Sequence, residues 1–475
     1  MQSFATINPP IALGPLDGRY RSVAAPLVDY LSEAALNRAR VRVEIEWLIY
    51  LATHNVLPGA PTLNDADITY LRDILENFGA DDIAEMAEIE AETKHDVKAV
   101  EYYLKRRLEA APSVLGEQTP LASMGEIVHI FCTSEDINNL SYALVVKGAI
   151  EDVWLPAARA FTEQIAELAR ENAELPMLSH THGQTATPTT LGKEMAVFAS
   201  RFKRQLARIE RADYLGKING ATGTFGAHEL SVPGAGWDKI SRDFVEGLGL
   251  DWNPLTTQIE AHDWQADLYA DVSHFNRIAH NFATDMWTYI SMDYFHQNLA
   301  AQGSTGSSTM PHKVNPIRFE NAEANLEISC GILDTLAATL VTSRMQRDLT
   351  DSTTQRNVGV GLGHSLLAID NLRRGLAGVD PNPAKLAADL DNAWEVLAEP
   401  IQQAMRAAAI AGATGMANPY ERLKELTRGR TVTAEDMREF IAGLGMPADV
   451  EQRLAALTPA TYTALAAQLV RDYLD

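Results

Sequence analysis

The stretch DWQADLYADVSHFNRIAHNFATDMWTYISMDYFHQNL, residues 263–299, decides the fold class. Its 37 residues contain neither Pro nor Gly, which predicts one helix far longer than those of most globular proteins. At about 1.5 Å per residue, such a helix would measure roughly 55 Å. Residues 154–168 and 191–209 place apolar side chains at the 3.6-residue helical period, and 320–344 and 363–375 are predicted helices as well.

Alternating polar and apolar residues, which are typical of strands, are almost absent, so we predict an all-α protein. Shorter amphipathic segments precede the long helices, and VDPNP (379–383) marks a change to short helices after them. We therefore predict three regions: an N-terminal helical domain (1–123), a central bundle of long helices (124–376) and a C-terminal helical domain (377–475). Because helices this long need more packing partners than one chain provides, we expect an oligomer with a shared helical core.

The composition is that of an ordinary soluble globular protein, with 46% hydrophobic and 22% charged residues among 475. The 40 Lys and Arg residues against 63 Asp and Glu give a net charge of −23, which argues against a nucleic-acid-binding surface and against docking on an anionic membrane. No apolar run is long enough to span a bilayer, and the N-terminus lacks the pattern of a signal peptide. With only Cys132 and Cys330, neither a disulfide framework nor a Cys-based metal site is expected, and we expect a cytoplasmic protein.

Six patches rich in Gly, Ser, Thr, His and charged residues interrupt the helices. They are TKHDVKAVEYYLKRR (93–107), CTSEDINN (132–139), SHTHGQTATPTT (179–190), GKINGATGTFGAH (216–228), GSSTMPHKVNP (306–316) and SRMQRDLTDSTTQR (343–356). Each lies at the boundary of a predicted helix. Helix ends from different parts of a bundle can meet at one level, and helix N-termini bind anions through their free N–H groups.

Each patch on its own has a simpler interpretation. Thr133 and Ser134 precede two acidic residues and would suit a helix cap, and Arg347 with Asp348 would suit an exposed ion pair. The Gly-Ser run at 306–308 would suit a solvated connector. Six independent connectors and caps are, however, the less economical explanation.

Two further patterns are set aside. His180 and His182 have the spacing of a zinc pair, but the chain has no HExxH motif, no Cys partner and no obvious third ligand, so we expect no metal. GVGLGH (359–364) is similar to a dinucleotide-binding glycine loop, but no predicted strand precedes it, so we do not predict a dinucleotide site.

GSSTMPHKVNP closely resembles the signature segment of the fumarase/aspartase superfamily, whose members are lyases that release fumarate. The His after Met-Pro resembles the pattern of the adenylosuccinate lyase family. Fumarase-like and argininosuccinate-lyase-like members usually carry Gly or Gln at this position. Further segments resemble the longer bacterial type of this family, in the same order and over nearly the whole chain. They are LDGRY (16–20), KHDVKAVEY (94–102), TSEDINNLS (133–141), THGQ (181–184), GKINGA (216–221), NPLTTQIE (253–260), QRDLTDST (346–353), NAWEVLAEPIQ (392–402) and PYERLKELTRG (419–429).

The resemblance implies two β-eliminations of purine biosynthesis, without a metal or redox cofactor. Adenylosuccinate would give AMP and fumarate, and the succinylocarboxamide ribonucleotide SAICAR would give AICAR and fumarate. The chemistry needs a base for a weakly acidic C–H, cationic donors for the carboxylate charge that develops, and an acid for the leaving nitrogen. The resemblance also implies a homotetramer, with segments of three chains in each active site.

The resemblance also implies the catalytic residues. Ser307 is the expected general base, in a Gly-Ser loop that closes over the substrate, and His182 is the expected general acid. Lys313 would supply positive charge beside the base, and Asn315 a hydrogen bond to a substrate carboxylate. Glu320 would orient the ring of His182.

The remaining matches imply substrate-binding residues. Arg19, Tyr20, Arg347, Ser352 and Arg356 suit the phosphate and ribose. His95, which we also count as catalytic, and Asp96 would lie beside the purine-phosphate end, and Thr133 and Ser134 would hold the fumarate-side carboxylate. Gln258 and Asn321 would add polar contacts. Neighbours in the same motifs complete the set: Lys94, Ser308, Val314, Thr353, Thr354 and Gln355.

Two positions depart from the family pattern. Lys94 stands where relatives of this type commonly have Asn, and Thr185 stands where Pro commonly follows THGQ. Both put affinity in doubt and leave the type of reaction untouched. Two alternatives stay open at this point: another fumarate-releasing lyase, such as an argininosuccinate-lyase-like enzyme, and a catalytically silent protein that kept the fold for a structural role.

Overall fold

A computed structural model describes residues 12–298, 310, 313–427 and 432–474. Helices dominate the described chain, and its strands pair only in two-stranded sheets. The prediction of an all-α protein is confirmed.

The elements up to residue 252 are, in chain order, α1 (Arg21–Leu31), α2 (Glu33–Thr53), α3 (Asp65–Glu76), α4 (Ala80–Thr93), α5 (Asp96–Leu115), α6 (Ser134–Gly148), α7 (Leu155–Glu171), β1 (Pro176–Thr181), β2 (Gln184–Thr190), α8 (Leu191–Ile209), β3 (Leu215–Gly216), α9 (Gly226–Ser231), α10 (Trp237–Gly247) and β4 (Asp251–Trp252). Short 3₁₀ turns at Leu121–Ser123 and Gly125–Ile127 lead into α6. Strands β1 and β2 are antiparallel, and β3 and β4 are parallel.

The later elements are α11 (Asp263–Ser291), β5 (Phe295–Gln297), α12 (Ile317–Leu340), α13 (Thr350–Gln355), α14 (Val358–Leu376), β6 (Val379–Pro381), α15 (Pro383–Asp391), α16 (Ala398–Ile410), α17 (Pro419–Thr427), α18 (Ala434–Ala442), α19 (Ala448–Ala455) and α20 (Ala466–Tyr473). Short 3₁₀ helices cover Trp394–Leu397 and Pro459–Thr461. Strands β5 and β6 pair antiparallel.

The chain divides into two compact units. Unit 1 contains the residues up to 158 together with 205–280 and 322–370, and unit 2 contains 159–204, 281–321 and 371–475. Every boundary between them falls inside a long helix, namely α7, α8, α11, α12 or α14. The three regions predicted from the sequence were divided at breaks between helices instead, and that division stays a prediction.

Each unit has its own apolar core. In unit 1, helices α2 to α5 bury a cluster that includes Leu71, Phe78, Val100 and Tyr103, none of which is measurably exposed. In unit 2, four phenylalanines pack edge to face, a geometry that aromatic rings prefer. They are Phe161, Phe198, Phe202 and Phe282.

Helix α11, which decides the fold class, is shorter than the sequence predicts. It ends at Ser291 after 29 residues, about 44 Å, and not at residue 299. Asp293 takes the left-handed conformation (φ 63°), and the N–H of Tyr294 donates to the carbonyl of Tyr289 at 2.9 Å. This is a helix stop of the Schellman type with Asp in the place of the usual Gly, so the sequence carried no glycine signal.

Helices α6 and α7 are joined by a wider helical turn at Ala149–Trp154. Pro156 follows it and has no N–H to donate to the residue four positions earlier. The N–H of Leu155 donates to the carbonyl of Ile150, five positions back, which is the π-helical pattern. The two helices therefore continue from one to the other across the proline.

The patch at 179–190 is a β-hairpin, which the sequence analysis did not predict. Strands β1 and β2 pair from Pro176 opposite Thr190 to Thr181 opposite Gln184, with a bulge between Leu178 and His180. The base of the hairpin packs in unit 2, where Leu178 joins a buried cluster formed by Leu390, Ala393 and Val396. Its strands show no regular alternation, since Ser, Thr and Pro fill most positions, and that hid them from a pattern search.

None of the helices in the described residues is both long enough and apolar enough to cross a membrane. Within the same residues, no group of three or more His, Cys, Asp or Glu side chains is arranged to hold a metal ion.

Candidate active site

The TSED patch begins helix α6 in unit 1. The N–H of Thr133 donates to Oδ2 of Asp136 at 2.8 Å, so an acid of the first turn closes the start of the helix. The capping interpretation is therefore correct for the backbone. It is compatible with ligand binding, because the N-terminus of a 15-residue helix attracts anions. Thr133 and Ser134 are half-buried there.

Asp136 also joins this patch to the patch at 216–228. Both Asp136 and Lys217 have fully buried side chains, and Nζ of Lys217 lies 2.8 Å from Oδ1 of Asp136. The same carboxylate accepts the N–H groups of Asn219 (2.9 Å) and Gly220 (3.1 Å). We call Asp136, Lys217, Asn219 and Gly220 the Asp136 clasp. It fixes the loop after β3 against the first turn of α6.

Glu135, next in the same turn, joins the patch that contains Arg347. Nη2 of Arg347 lies 3.0 Å from Oε1 of Glu135, whose side chain is only 3% exposed. Nη1 of Arg347 lies 3.5 Å from the side-chain oxygen of Gln258, and Gln258 donates to the carbonyl of Ala221 at 3.0 Å. The predicted binding residues Arg347 and Gln258 are therefore in contact with each other and with α6. The ion-pair partner of Arg347 is Glu135, whereas Asp348 lies 3.5 Å from Arg344, and this replaces the simpler interpretation of Arg347 and Asp348 as a pair.

A second ion-pair cluster surrounds Asp96, at the start of α5. Nη2 of Arg40 lies 2.8 Å from Asp96, and Nη2 of Arg356 lies 2.9 Å from the same oxygen. Burial alone would raise the pKa of Asp96, but the charge of Arg40 and the hydrogen bond from the N–H of Val97 outweigh it and hold the pKa below its ordinary value. Asp96 therefore stays ionised between two guanidinium groups.

Asn138 connects the two clusters. Its side-chain oxygen accepts from Nε of Arg40 at 2.9 Å, and its NH₂ group donates to Glu135 at 2.8 Å. We call the connected side chains the arginine frame. Its members are Arg356, Asp96, Arg40, Asn138, Glu135 and Arg347.

Lys94 and His95 form the corner between α4 and α5. Lys94 is exposed and ends α4 in the left-handed conformation (φ 56°). His95 caps α5, with Nδ1 accepting from the N–H of Lys98 at 3.3 Å and lying 3.7 Å from the carboxylate of Asp96. The ring is exposed and borders the arginine frame.

Helix α13 carries the predicted residues 352–355 and leads to Arg356. Ser352 and Thr354 are half-buried and Thr353 is exposed, but Gln355 is only 3% exposed and its NH₂ group donates to Gln265 at 3.0 Å. The structure thus gives Gln355 a packing position, and its contact with substrate stays a prediction. In the first turn of α13, the carboxylate of Asp351 lies 3.2 Å from Nε2 of the buried His262, which anchors the helix.

Arg19 and Tyr20 lie in the turns before α1. Arg19 is exposed, and its guanidinium is 5.8 Å from the centre of the Tyr20 ring. Within the described part of unit 1, no hydrogen bond or ion pair joins Arg19 to the arginine frame. Its contact with a phosphate stays a prediction.

In unit 2, His182 lies at the tip of the β1–β2 hairpin. His182 (φ 53°) and Gly183 (φ 72°) are the two central residues of the turn, and both are left-handed, as a type I′ turn requires. His is among the residues other than Gly that adopt this conformation most often. The ring of His182 is exposed, on a turn whose backbone is fixed by strand pairing.

Glu320 and the segment before it also belong to unit 2. Nε1 of Trp287 donates to the carboxylate of Glu320 at 3.1 Å, whereas no contact in the described chain joins Glu320 to His182. The proposed orienting role of Glu320 stays a prediction. Lys313 is exposed, its N–H bonding to the carbonyl of Met310, and the carbonyl of Val314 accepts from Gln297 at 2.8 Å.

The other two predicted residues of this part of unit 2 begin or precede α12. Asn315 is half-buried just before the helix, and Asn321 lies in its first turns. Ser307 and Ser308, the expected base and its neighbour, lie outside the described residues.

Sequence reasoning missed several residues of the arginine frame and the Asp136 clasp, above all Arg40 and Lys217. A signal for Arg40 existed. It lies four residues before Glu44 on the apolar face of α2, beside Leu36 and Trp47. Charged residues at that spacing on a buried face need partners of opposite charge or hydrogen-bonding groups, because an unpaired buried charge strongly destabilises the fold.

Comparison with known proteins adds the family. Residues 18–330 match the family model described as lyase, and residues 343–463 match that of the adenylosuccinate lyase C-terminal region. The chain is 46% identical to the adenylosuccinate lyase of Escherichia coli K12 over 461 residues, which cover 97% of this chain and 98% of that protein. This chain belongs to the adenylosuccinate lyase family. The adenylosuccinate lyases of Haemophilus influenzae and Vibrio cholerae are also 46% identical to this chain. The matches cover 97% and 96% of this chain, respectively, and 98% of each of those proteins.

Solved structures agree on the fold. A fumarate lyase from Mesorhizobium sp. BNC1 superposes with a TM-score of 0.74 at 17% identity, covering 94% of this chain and 97% of that one. A 3-carboxy-cis,cis-muconate lactonizing enzyme from Pseudomonas putida superposes with a TM-score of 0.69 at 17% identity, covering 94% of this chain and 96% of that one. For this member of the adenylosuccinate lyase family, the C-terminal match disfavours the argininosuccinate-lyase-like alternative.

Proposed function

We propose that this protein is an adenylosuccinate lyase that eliminates fumarate from adenylosuccinate, giving AMP, and from SAICAR, giving AICAR. One observation carries the proposal. The motifs of unit 1 that contain Asp96, Gln258, Arg347 and Arg356, which we expect to bind the substrate, lie in one connected set that includes the first turn of α6. In a chain of net charge −23, so many guanidinium groups in one place favour an anionic ligand.

The elimination requires three things: removal of a proton from carbon, stabilisation of the negative charge that develops, and delivery of a proton to the leaving nitrogen. Ser307 removes the proton from the carbon beside the carboxylate, in a site dried by closure of its loop. Lys313 and Asn315 stabilise the negative charge that develops on that carboxylate. His182 delivers a proton to the leaving nitrogen, and Glu320 orients its ring.

His182 suits this role because of its place in the hairpin. An acid must reach the leaving atom to within hydrogen-bonding distance, and a two-residue turn allows few backbone alternatives. The exposed ring stands on a support fixed by paired strands and by the buried Leu178. We propose that the ring projects into a site completed by other subunits of a homotetramer.

We expect the enzyme to work in the cytoplasm as a homotetramer on small-molecule substrates. Cys132 and Cys330 are free thiols, which fits a reducing compartment. Exposed apolar side chains on α12 and α14, among them Ile328 and Val360, fit packing against further copies of the chain.

The test is a spectrophotometric assay of the purified protein with adenylosuccinate, SAICAR and argininosuccinate in parallel. We expect turnover of the first two, with equal amounts of fumarate and of AMP or AICAR, and none of the third. Turnover of argininosuccinate alone would overturn the substrate assignment. A folded protein that is inactive on all three would favour the silent structural role.

A further inference from the structure

Arg40 occupies the centre of the arginine frame without reaching its surface. Its side chain is 3% exposed, and each of its three nitrogen atoms donates to another side chain. Nε donates to Asn138 at 2.9 Å, Nη1 to Asn37 at 2.9 Å and Nη2 to Asp96 at 2.8 Å. A buried guanidinium whose three nitrogen atoms are each bonded to a neighbouring side chain acts through those neighbours and not by touching a ligand.

The charges of the frame do not cancel. Three guanidinium groups, those of Arg40, Arg347 and Arg356, face the carboxylates of Asp96 and Glu135, which leaves one net positive charge. Glu33 also contacts Arg356, at 3.3 Å, but its side chain is 83% exposed and water screens it. Removing the charge of Arg40 would leave two carboxylates to neutralise the two outer arginines.

We propose that Arg40 is a positioning residue that sets the charge of the nucleotide-phosphate subsite. It neutralises Asp96 directly and holds Glu135 through Asn138, so that Arg347 and Arg356 keep positive charge for the phosphate. The inference rests on the proposed function, because it takes from there that these two arginines bind the phosphate.

Geometry matters in addition to charge. Arg40 is on α2, Asp96 on α5 and Asn138 on α6, so the planar guanidinium fixes three helices of unit 1 at one point. A lysine would keep the charge as a single point but would lose the fork that reaches Asn37, Asn138 and Asp96 together. Charge and geometry can therefore be separated by substitution.

The two products of the reaction give a selective readout. AMP carries the phosphate and fumarate does not, so a fault at the phosphate subsite should weaken AMP and spare fumarate. Binding of each can be measured by calorimetry, without turnover. General damage to the fold would weaken both.

The experiment compares Arg40→Gln, Arg40→Lys and the control Arg42→Gln in the full-length protein. Arg42 lies on the same helix two residues later and is exposed. We expect Arg40→Gln to weaken AMP binding about tenfold or more, to change fumarate binding less than about twofold, and to flatten the salt dependence of AMP binding. It should raise KM for adenylosuccinate more than it lowers kcat. Arg40→Lys should lose AMP affinity but keep the salt dependence, and Arg42→Gln should match the wild type.

An unchanged AMP affinity in folded Arg40→Gln protein would overturn the proposal, as would an equal loss for AMP and fumarate. If Arg40→Gln does not fold, Asn138→Ala breaks the link between Arg40 and Glu135 without changing the charge. That variant should weaken AMP about threefold with its salt dependence retained, and unchanged AMP binding would again reject the proposal. A wild-type protein that neither binds AMP nor converts adenylosuccinate would instead reject the proposed function.

Discussion

Because His182 has a left-handed backbone conformation, substitutions can test its chemical role and its structural role separately. Asn is favoured at this turn position, so His182→Asn should keep the hairpin while removing the proton donor. We expect kcat to fall by about 10²-fold or more, with the midpoint of thermal unfolding within about 2 °C of the wild type. His182→Val, a β-branched residue at positive φ, should lower both. Activity near wild type in His182→Asn would exclude His182 as the acid.

At Lys94, the backbone conformation and the side-chain charge favour different residues. It ends α4 in the left-handed conformation, where Asn is better tolerated than Lys. Lys94→Asn should therefore raise the free energy of unfolding by up to about 1 kcal/mol. It should also raise KM at low salt, since it removes a cation beside His95 and Asp96, and high salt should reduce that difference. Lys94→Arg, which keeps both charge and strain, is the control. An unchanged KM at low salt would show that Lys94 does not act on the substrate.

His228 should make stability depend on pH. It is 1% exposed among the rings of Phe131, Phe225 and Trp237, and neither ring nitrogen has a hydrogen-bond partner in the described residues. Burial lowers its pKa to about 4, with Lys217 adding to the effect and Asp136 and Glu229 opposing it.

The unfolded chain therefore binds a proton between pH 6.5 and pH 4 that the folded chain does not, and stability falls as the pH is lowered through this window. Urea unfolding at pH 7 and pH 4.5 measures the loss. In His228→Leu, which cannot titrate, the loss should be smaller by about 2 kcal/mol. An equal loss in both proteins would show that His228 is not responsible.

At the scale of elements, the sequence predicted helices well and their ends poorly. Periodicity follows from the face a helix buries, so α7 and α8 were found directly. The end of α11 was missed because Asp293 takes the left-handed position that Gly usually takes. The β1–β2 hairpin was missed because its strands do not alternate regularly. A stop or turn that depends on one residue in an unusual conformation leaves little trace in composition.

The candidate site divides in the same way. Motifs identified Asp96, Arg347 and Arg356 because their order along the chain is distinctive. Motifs could not identify Arg40. Its position on the apolar face of α2 indicates only that it needs a partner, and the partners that make it important are far away in sequence.

The Asp136 clasp makes a prediction about the joining of elements. Lys217→Met would leave the carboxylate of Asp136 buried without its cation, so unfolding free energy should fall by about 3 to 5 kcal/mol. Adding Asp136→Asn removes the unpaired buried charge and leaves one side-chain oxygen, in place of two, to accept hydrogen bonds from the N–H groups that face it.

The double variant should therefore be more stable than Lys217→Met alone. Urea unfolding of the two single variants and the double variant, at one protein concentration, gives the coupling energy. Strictly additive losses would mean that the two residues do not form a coupled pair.

For the whole molecule, the predicted residues fall in different units. Asp96, Arg347 and Arg356 are in unit 1, and His182 is in unit 2. The proposed homotetramer would complete each site from several chains. His182→Asn and Ser307→Ala proteins, each inactive alone, should regain activity when mixed under conditions of subunit exchange. Random assortment of equal amounts would restore about a quarter of the sites.

The control is the same mixture without exchange, which should stay inactive. Mass spectrometry of the mixture establishes that hybrids have formed. Verified hybrids without activity would mean that His182 and Ser307 serve a site from one and the same chain.

The Asp136 clasp also imposes an order on events during synthesis. Its ion pair joins residues 81 positions apart, so a nascent chain presents Asp136 well before Lys217 has been added. At about 5–20 residues per second, the ribosome needs roughly 4 to 16 s to make that intervening segment. Until Lys217 is available, burying the carboxylate of Asp136 would leave a charge without a partner, so the first turn of α6 must stay exposed to solvent. Codons and chaperones that alter the pace between these two positions should therefore affect the yield of folded enzyme more than changes of pace elsewhere.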